Sequence, residues 1–267
     1  MKNTKSTFTW TDYLSWEKEI RELLSGYVDE EVVAYFRVHP PEFIVSDNTS
    51  WLDKIVRIVK GVDVDVKYEL SWLLTSYYEA FRAFHGCCPL DISTYYKKGI
   101  VRLNSSEYNQ IAREHFLSGN FPEILESDLM AAIEDMKTDN REGLVFFEAH
   151  EKMLLQHCGH YMLYGSEYLV GIAATLSRRD RLDYRRTLKR RGTPTVFVCD
   201  VPFKLIGFDT ILELSGSVIE VLFEKILDPS YKHPQSGNCF GFPIHYDLPP
   251  ESIVGHYHPN YVHDPIC

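Results

Sequence analysis

The sequence predicts an α+β fold with largely antiparallel strand pairing. Short aromatic and β-branched segments recur from Tyr77 onward, helical segments lie between them, and the two kinds do not alternate in the regular manner of a doubly wound sheet. The first seventy-odd residues have a different, mainly helical texture. A helical extension over 1–76 ahead of a core over 77–267 is therefore expected.

Taken in order, Tyr13 to Leu24 has the apolar spacing of an amphipathic helix. Glu31 to Val38 carries paired valines and reads as a strand. A loop, HPPEFIVSDNTSW, leads into a second helix at WLDKIVRIVKGV. Strands are expected at YYEAFRAFHG, EGLVFFE, HYMLYG, TPTVFVCDVPF, GFPIHYDL and SIVGHYHP. Helices are expected over Ser105 to Leu117, Glu167 to Leu176 and Asp209 to Leu227. No repeat or low-complexity tract interrupts the chain.

Composition narrows the function classes. The 267 residues are 45% hydrophobic and 25% charged, a mix that buries a sizeable core. No apolar run approaches the roughly 20 residues of a membrane span, and MKNTKSTFTWTDY has no signal-like apolar stretch, so no membrane association and a cytoplasmic location are expected. The six cysteines show no CxxC spacing, which fits reduced thiols. A net charge of −10 argues against a surface that binds nucleic acid everywhere, while leaving room for local basic patches.

Two stretches draw attention for chemistry. In FRAFHGCCPLDISTYYKKGI, a strand ending at His85 and Gly86 runs into a proline-containing turn, and Asp91 or Ser93 caps a short helix that stops before Gly99. An imidazole there can hydrogen-bond a ribose hydroxyl, and a glycine backbone can approach a flat carboxamide. The bland alternative is a strand end with a partly buried histidine and a turn glycine. In HCGHYMLYGSEYLVGIAATL, His160 to Gly165 reads as a strand, Gly165 as a sharp exit and Ser166 as the cap of the following helix. A corner of this kind suits a phosphate or a polar ligand edge, with tyrosine available for stacking. Equally, Tyr161, Tyr164, Tyr168, Leu169 and Ile172 fit as core.

The strand ending FHG, the "KKGI" segment, the corner YGSEYL and the strand GTPTVFVCDVP together resemble the ADP-ribosyltransferase fold, in its toxin-type His–Tyr–Glu branch. The resemblance spans roughly residues 77–262 and implies two small split antiparallel sheets with NAD, as substrate, in a cleft between them. It also implies ADP-ribose transfer to a macromolecular acceptor, as in bacterial toxins and antiviral defence effectors, with an antitoxin as a further partner. It places His85, Gly86, Tyr95, Tyr164 and Ser166 on NAD, with His85, Tyr161, Tyr164, Glu167 and His245 in the chemistry. The sequence departs from the family at the third motif. Where a glutamate belongs at the start of a late strand, GFPIHYDLPPESIV has Phe242 or its neighbours, so that Glu167, Glu213, Glu220 or His245 must substitute. A non-catalytic nucleotide- or partner-binding protein on the same fold is the alternative.

Two further features stand apart. His150, His157, His160, His256, His258 and His263 are numerous enough for zinc, which makes a metal-dependent hydrolase a third reading, but they have neither HExxH nor CxxC spacing. No metal is expected. RRDRLDYRRTLKRRG reverses the sign of the chain locally, with eight Lys or Arg among the fourteen residues 178–191. A solvated helix face accounts for it. A phosphate-binding surface does so too, taking RNA, DNA or the NAD pyrophosphate through Arg178, Arg185, Arg186 and Arg190 with Tyr184 as a stacking partner.

Overall fold

A computed structural model describes residues 5–136, 141–180, 182–189, 191–231 and 240–266. Arg190, Cys239 and Cys267 lie outside them. The chain divides into two compact units, one of residues 1–82 with 200–240 and the other of 83–199 with 241–267. Residues 200–240 thus return to the N-terminal unit, and the boundaries fall inside two strands. One separates Arg82 from Ala83, the other Cys199 from Asp200.

The first unit holds α1 (Tyr13–Leu24), α2 (Glu30–Val38), α3 (Ser50–Lys60), α4 (Val66–Tyr77) and the long α12 (Phe208–Leu227). Strand β1 (Lys5–Phe8) runs parallel to the start of β2 (Tyr78–Cys87), so the N-terminal segment is not purely helical. The strand expected over 31–38 is the helix α2. Asp29 accepts from the backbone N–H of Glu31 and Val32 at its N-cap, two acids occupy the first turn, and Val32, Val33 and Phe36 share the buried face. Those cap and charge signals outweigh the strand preference of the paired valines. Packing rests on aromatic rings, with Trp10 stacked on Trp16 at 5.9 Å and Phe36 edge-on to Phe223 at 4.7 Å.

The second unit contains α5 (Ser93–Lys98), α6 (Ser105–Phe116), α7 (Glu126–Asp135), β3 (Val145–Glu148), α8 (Glu151–Gln156), α9 (His160–Tyr164), α10 (Glu167–Asp180), α11 (Arg185–Leu188), β5 (Gly241–Ile244) and β6 (Ile253–Tyr257). It also takes residues 83–87 of β2 and 195–199 of β4 (Thr195–Pro202). The pairings β2–β3, β3–β5 and β4–β6 are antiparallel, as expected for α+β. Strand order is β5–β3–β2–β4–β6 in one sheet, with β1 also beside β2. This corrects the expectation of two split sheets, because β2 and β4, the two longest strands, pair with each other and join the antiparallel strands on either side.

Helices α6, α7, α10 and α11 enclose a separate apolar cluster that includes Phe116, Leu129, Ile133, Ile172, Leu176 and Leu188. Helix α7 has no counterpart in the sequence reading. The strand expected over 160–165 is the helix α9. Its buried residues, Met162 and Tyr164, alternate with partly buried Tyr161 and Leu163, so over five residues a helix reproduces the alternation of a strand. Gly165, at φ +82°, ends it in a conformation that favours glycine.

Candidate functional site

The end of β2, the ladder β3–β5 and helices α5, α6, α9 and α10 of the second unit surround a cavity of about 570 Å³. That size is ordinary for a small-molecule site. Its walls are mostly apolar and aromatic, and of the residues that the resemblance places on NAD or in the chemistry all but His245 line it: His85, Gly86, Tyr95, Tyr161, Tyr164, Ser166 and Glu167.

Among the described residues His85 makes one polar contact, its Nδ1 lying 2.9 Å from the Phe146 carbonyl oxygen. A carbonyl only accepts, so Nδ1 carries the proton. Burial pushes the imidazole below its usual range, although the carbonyl contact opposes this, and the neutral ring is left with Nε2 as an acceptor. Gly86 is explained differently. A side chain there would meet Met162 Cγ at 3.3 Å and Leu154 Cδ2 at 3.4 Å, so the glycine admits helix α9 against the strand.

Several of the other residues are committed to neighbours. Tyr164 is 2% exposed, donates its hydroxyl to Asp264 Oδ2 at 2.8 Å, and lies under the Lys189 ammonium at 5.1 Å from the ring centroid. These contacts fit the core alternative that the sequence left open for Tyr164, which also lines the cavity. Glu167 accepts from His160 Nε2 at 2.6 Å and pairs with Arg141. Ser166 Oγ accepts from the Tyr168 amide at 3.2 Å, which makes it the expected cap of α10. Tyr95 stacks on Phe197 at 4.6 Å and bonds to the Cys87 thiol, which burial pushes up to about 12. Tyr161 lines the cavity beside the His160 ring, 4.3 Å away. His245 is exposed and stands outside the lining, while Glu213 and Glu220 sit on α12 in the other unit.

The residue that the sequence reading missed is Glu148, at the end of β3. It stands opposite Phe84 on β2 and Gly241 on β5. A side chain at Gly241 would sit 2.6 Å from Glu148 Oε1, so this glycine makes room for the carboxylate. Among the described residues Glu148 Oε2 is buried without a hydrogen-bond partner, and burial raises the carboxyl to about 7. Because Phe84 and not His85 stands opposite Glu148, strand alternation aims His85 and Glu148 to opposite faces of the β2–β3 ladder. The His85 ring lies 5.7 Å from that of Phe147, and both His85 and Glu148 line the cavity at the end of the ladder. The sequence signal was an acid closing an apolar strand, EGLVFFE, together with a glycine opening GFPI.

The basic stretch is not one surface. Arg179 pairs with Asp128, Arg185 with Asp183 at 2.7 Å, Arg186 with the same carboxylate at 3.5 Å, and Lys189 with Asp264 at 2.5 Å. Arg178 is exposed, whereas Arg191 lines the cavity. Tyr184, expected as a stacking partner, is 2% exposed and donates to Glu123 Oε1 at 2.9 Å. It is a core residue. The histidines also have local partners. His150 caps α8, His256 Nδ1 is 2.7 Å from the Tyr96 hydroxyl, and His258 Nδ1 is 3.1 Å from the Pro194 carbonyl oxygen. Among the described residues no group of three or more His, Cys, Asp or Glu side chains is placed to hold a metal. No helix among them is long and apolar enough to cross a membrane, and Cys87 and Cys88 are free thiols.

Compared with protein-family models, curated proteins and solved structures, the chain matches none.

Proposed function

We propose that the chain is an ADP-ribosyltransferase that cleaves NAD in the cavity of the second unit. One observation carries the reading: a strand-end histidine and a buried carboxylate on the neighbouring strand, whose Nε2 and Oε2 have no partner among the described residues, line the same aromatic-walled cavity.

Nε2 of His85 accepts a hydrogen bond from a ribose hydroxyl, and Tyr161 offers the cavity a ring. The C1′–N bond to nicotinamide breaks, the pair of electrons leaves with the neutral base, and an acceptor oxygen or nitrogen forms the new bond to C1′. Glu148, rather than Glu167 or His245, then takes the acceptor's proton. A carboxyl raised to about 7 suits that task, being both basic and substantially ionised near neutral pH. Its negative form also stabilises the positive charge that develops on the sugar ring. The acceptor is a macromolecule, and the reading assigns its docking to Arg178 and Arg186, which together with Arg179 are the described arginines of the basic stretch that are exposed and lie outside the cavity lining.

The test is release of nicotinamide from NAD by the purified full chain, with and without RNA, DNA or total protein as acceptor. Activity should fall at least about a hundredfold in Glu148→Gln and in His85→Ala, the range of a lost proton-transfer group or a lost positioning contact. NAD that binds without turnover would make the protein a nucleotide-binding module instead. No binding at all would remove NAD.

A further inference from the structure

The residues 191–193 cross close to the turn that follows β2. A side chain at Gly192 would meet the Cys88 carbonyl oxygen at 2.4 Å and that of Pro89 at 2.6 Å, and the Thr193 amide donates to Pro89 O at 3.1 Å. This approach fixes Arg191 at the cavity wall beside the Cys88–Pro89 turn. Among the described residues its Nη1 is buried without a hydrogen-bond partner and no carboxylate pairs with the guanidinium. The lining acids do not supply one. Glu167 is engaged by Arg141 and His160, Asp91 is exposed and turned onto Ser93, and Glu148, at the β3 end of the cavity, forms no ion pair among the described residues. The guanidinium's charge is felt at His115, whose Nε2 is 2.8 Å from Thr187 Oγ1 and which is lowered to about 4, first by burial and then by Arg191.

An arginine cannot shed its proton to escape burial, as a lysine or carboxyl can. A guanidinium nitrogen shut away from water with no partner is therefore an expensive feature in a chain with 38 acidic residues to choose from. A bound anion removes the expense. We infer that Arg191 is an oxyanion-binding residue inside the cavity, so that the ligand carries a phosphate or carboxylate group which docks at the Cys88–Pro89 end. A nucleoside diphosphate meets this requirement and so does an organic acid, because the planar fork of the guanidinium grips both. The inference does not rest on the transferase reading.

The experiment follows the melting temperature of the full chain with inorganic pyrophosphate, ADP-ribose, succinate, and adenosine as the uncharged control, in wild type, Arg191→Gln and Arg191→Lys. Pyrophosphate and ADP-ribose should stabilise wild type where adenosine does not, and binding should weaken about ten- to a hundredfold in Arg191→Gln, with part of it kept in Arg191→Lys. A matching response to succinate would assign the oxyanion to a carboxylate. Without ligand, Arg191→Gln should melt no lower than wild type, since the substitution removes an unpaired charge, whereas an arginine that served packing alone would lose stability. Wild type indifferent to all three anions, or an anion response unchanged in a folded Arg191→Gln, overturns the inference. If Arg191→Gln fails to fold, the Arg191→Lys titration and the phosphorus resonance of pyrophosphate with wild type decide in its place. Pyrophosphate binding without NAD turnover would leave the oxyanion site standing and end the transferase reading, and turnover without an anion response would do the reverse.

Discussion

Replacing Glu148 by Gln separates the charge of this side chain from its shape. The carboxyl is raised from 4.5 to about 7 by burial alone, and its Oε2 has no partner among the described residues. Folding therefore favours the protonated form. The stability that this brings is full below about pH 4.5 and is lost as pH climbs through about 7. At about 1.36 kcal/mol per pH unit the interval corresponds to ~3.4 kcal/mol. Glu148 is only partly buried, and solvent screening brings the usable figure down to about 1–2 kcal/mol. Glutamine keeps the shape and cannot ionise, so Glu148→Gln should match wild type near pH 4.5, gain on it up to pH 7 and hold a constant advantage above. For a chain of this size that advantage is a melting temperature higher by about 2–8 °C. Thermal unfolding followed by circular dichroism from pH 4.5 to 8.5 measures it. A difference that stays flat with pH would refute the burial of an unpaired carboxylate, and with it the proposed base.

Gly241→Ala places a methyl group 2.6 Å from Glu148 Oε1, so it should displace the carboxylate and cut turnover by about tenfold or more while the circular dichroism spectrum is kept. Unchanged turnover would show that the carboxylate's position is immaterial. Tyr164→Phe removes the hydroxyl that donates to Asp264 and should cost about 1 kcal/mol of stability with NAD affinity unaltered; weakened affinity at full stability would restore Tyr164 to the site. Arg179→Ala breaks the pair with Asp128 on the surface, and a loss above about 1 kcal/mol would mean that the basic stretch is more than solvated charge.

The strands β2 to β6 were legible because each carries the alternation or the aromatic and β-branched run of a half-buried segment, and each ends at glycine, proline or a polar turn. Helices α1, α3, α6, α10 and α12 were legible from the 3.6-residue spacing. Elements failed where two signals coincided. Val32 and Val33 favour a strand, yet Asp29 caps a helix and Phe36 completes its buried face; in HYMLY a two-residue alternation is shared by a helix too short to show its own period. The site was legible to the extent that it is local. His85 and Gly86 announce themselves by adjacency, but Glu148 acquires its surroundings from Phe84 and Gly241, which are remote in the chain and become neighbours only through strand register. The carboxylate was sought on the late strand itself, and register shows that strand instead pairing Gly241 with an acid on β3. Arg191 makes the same point about charge. As one basic residue among eight in a row of fourteen it looks like surface, and nothing in its spelling separates it from Arg185 or Arg186. What separates them is the partner. Asp183 sits two residues before Arg185 and answers both arginines locally, whereas the glycine after Arg191 draws the backbone against the Cys88–Pro89 turn and carries the guanidinium beyond the carboxylates of its own segment. A sequence spells out a charge but not its lack of a counter-charge, and in this cavity that lack is what points to a ligand.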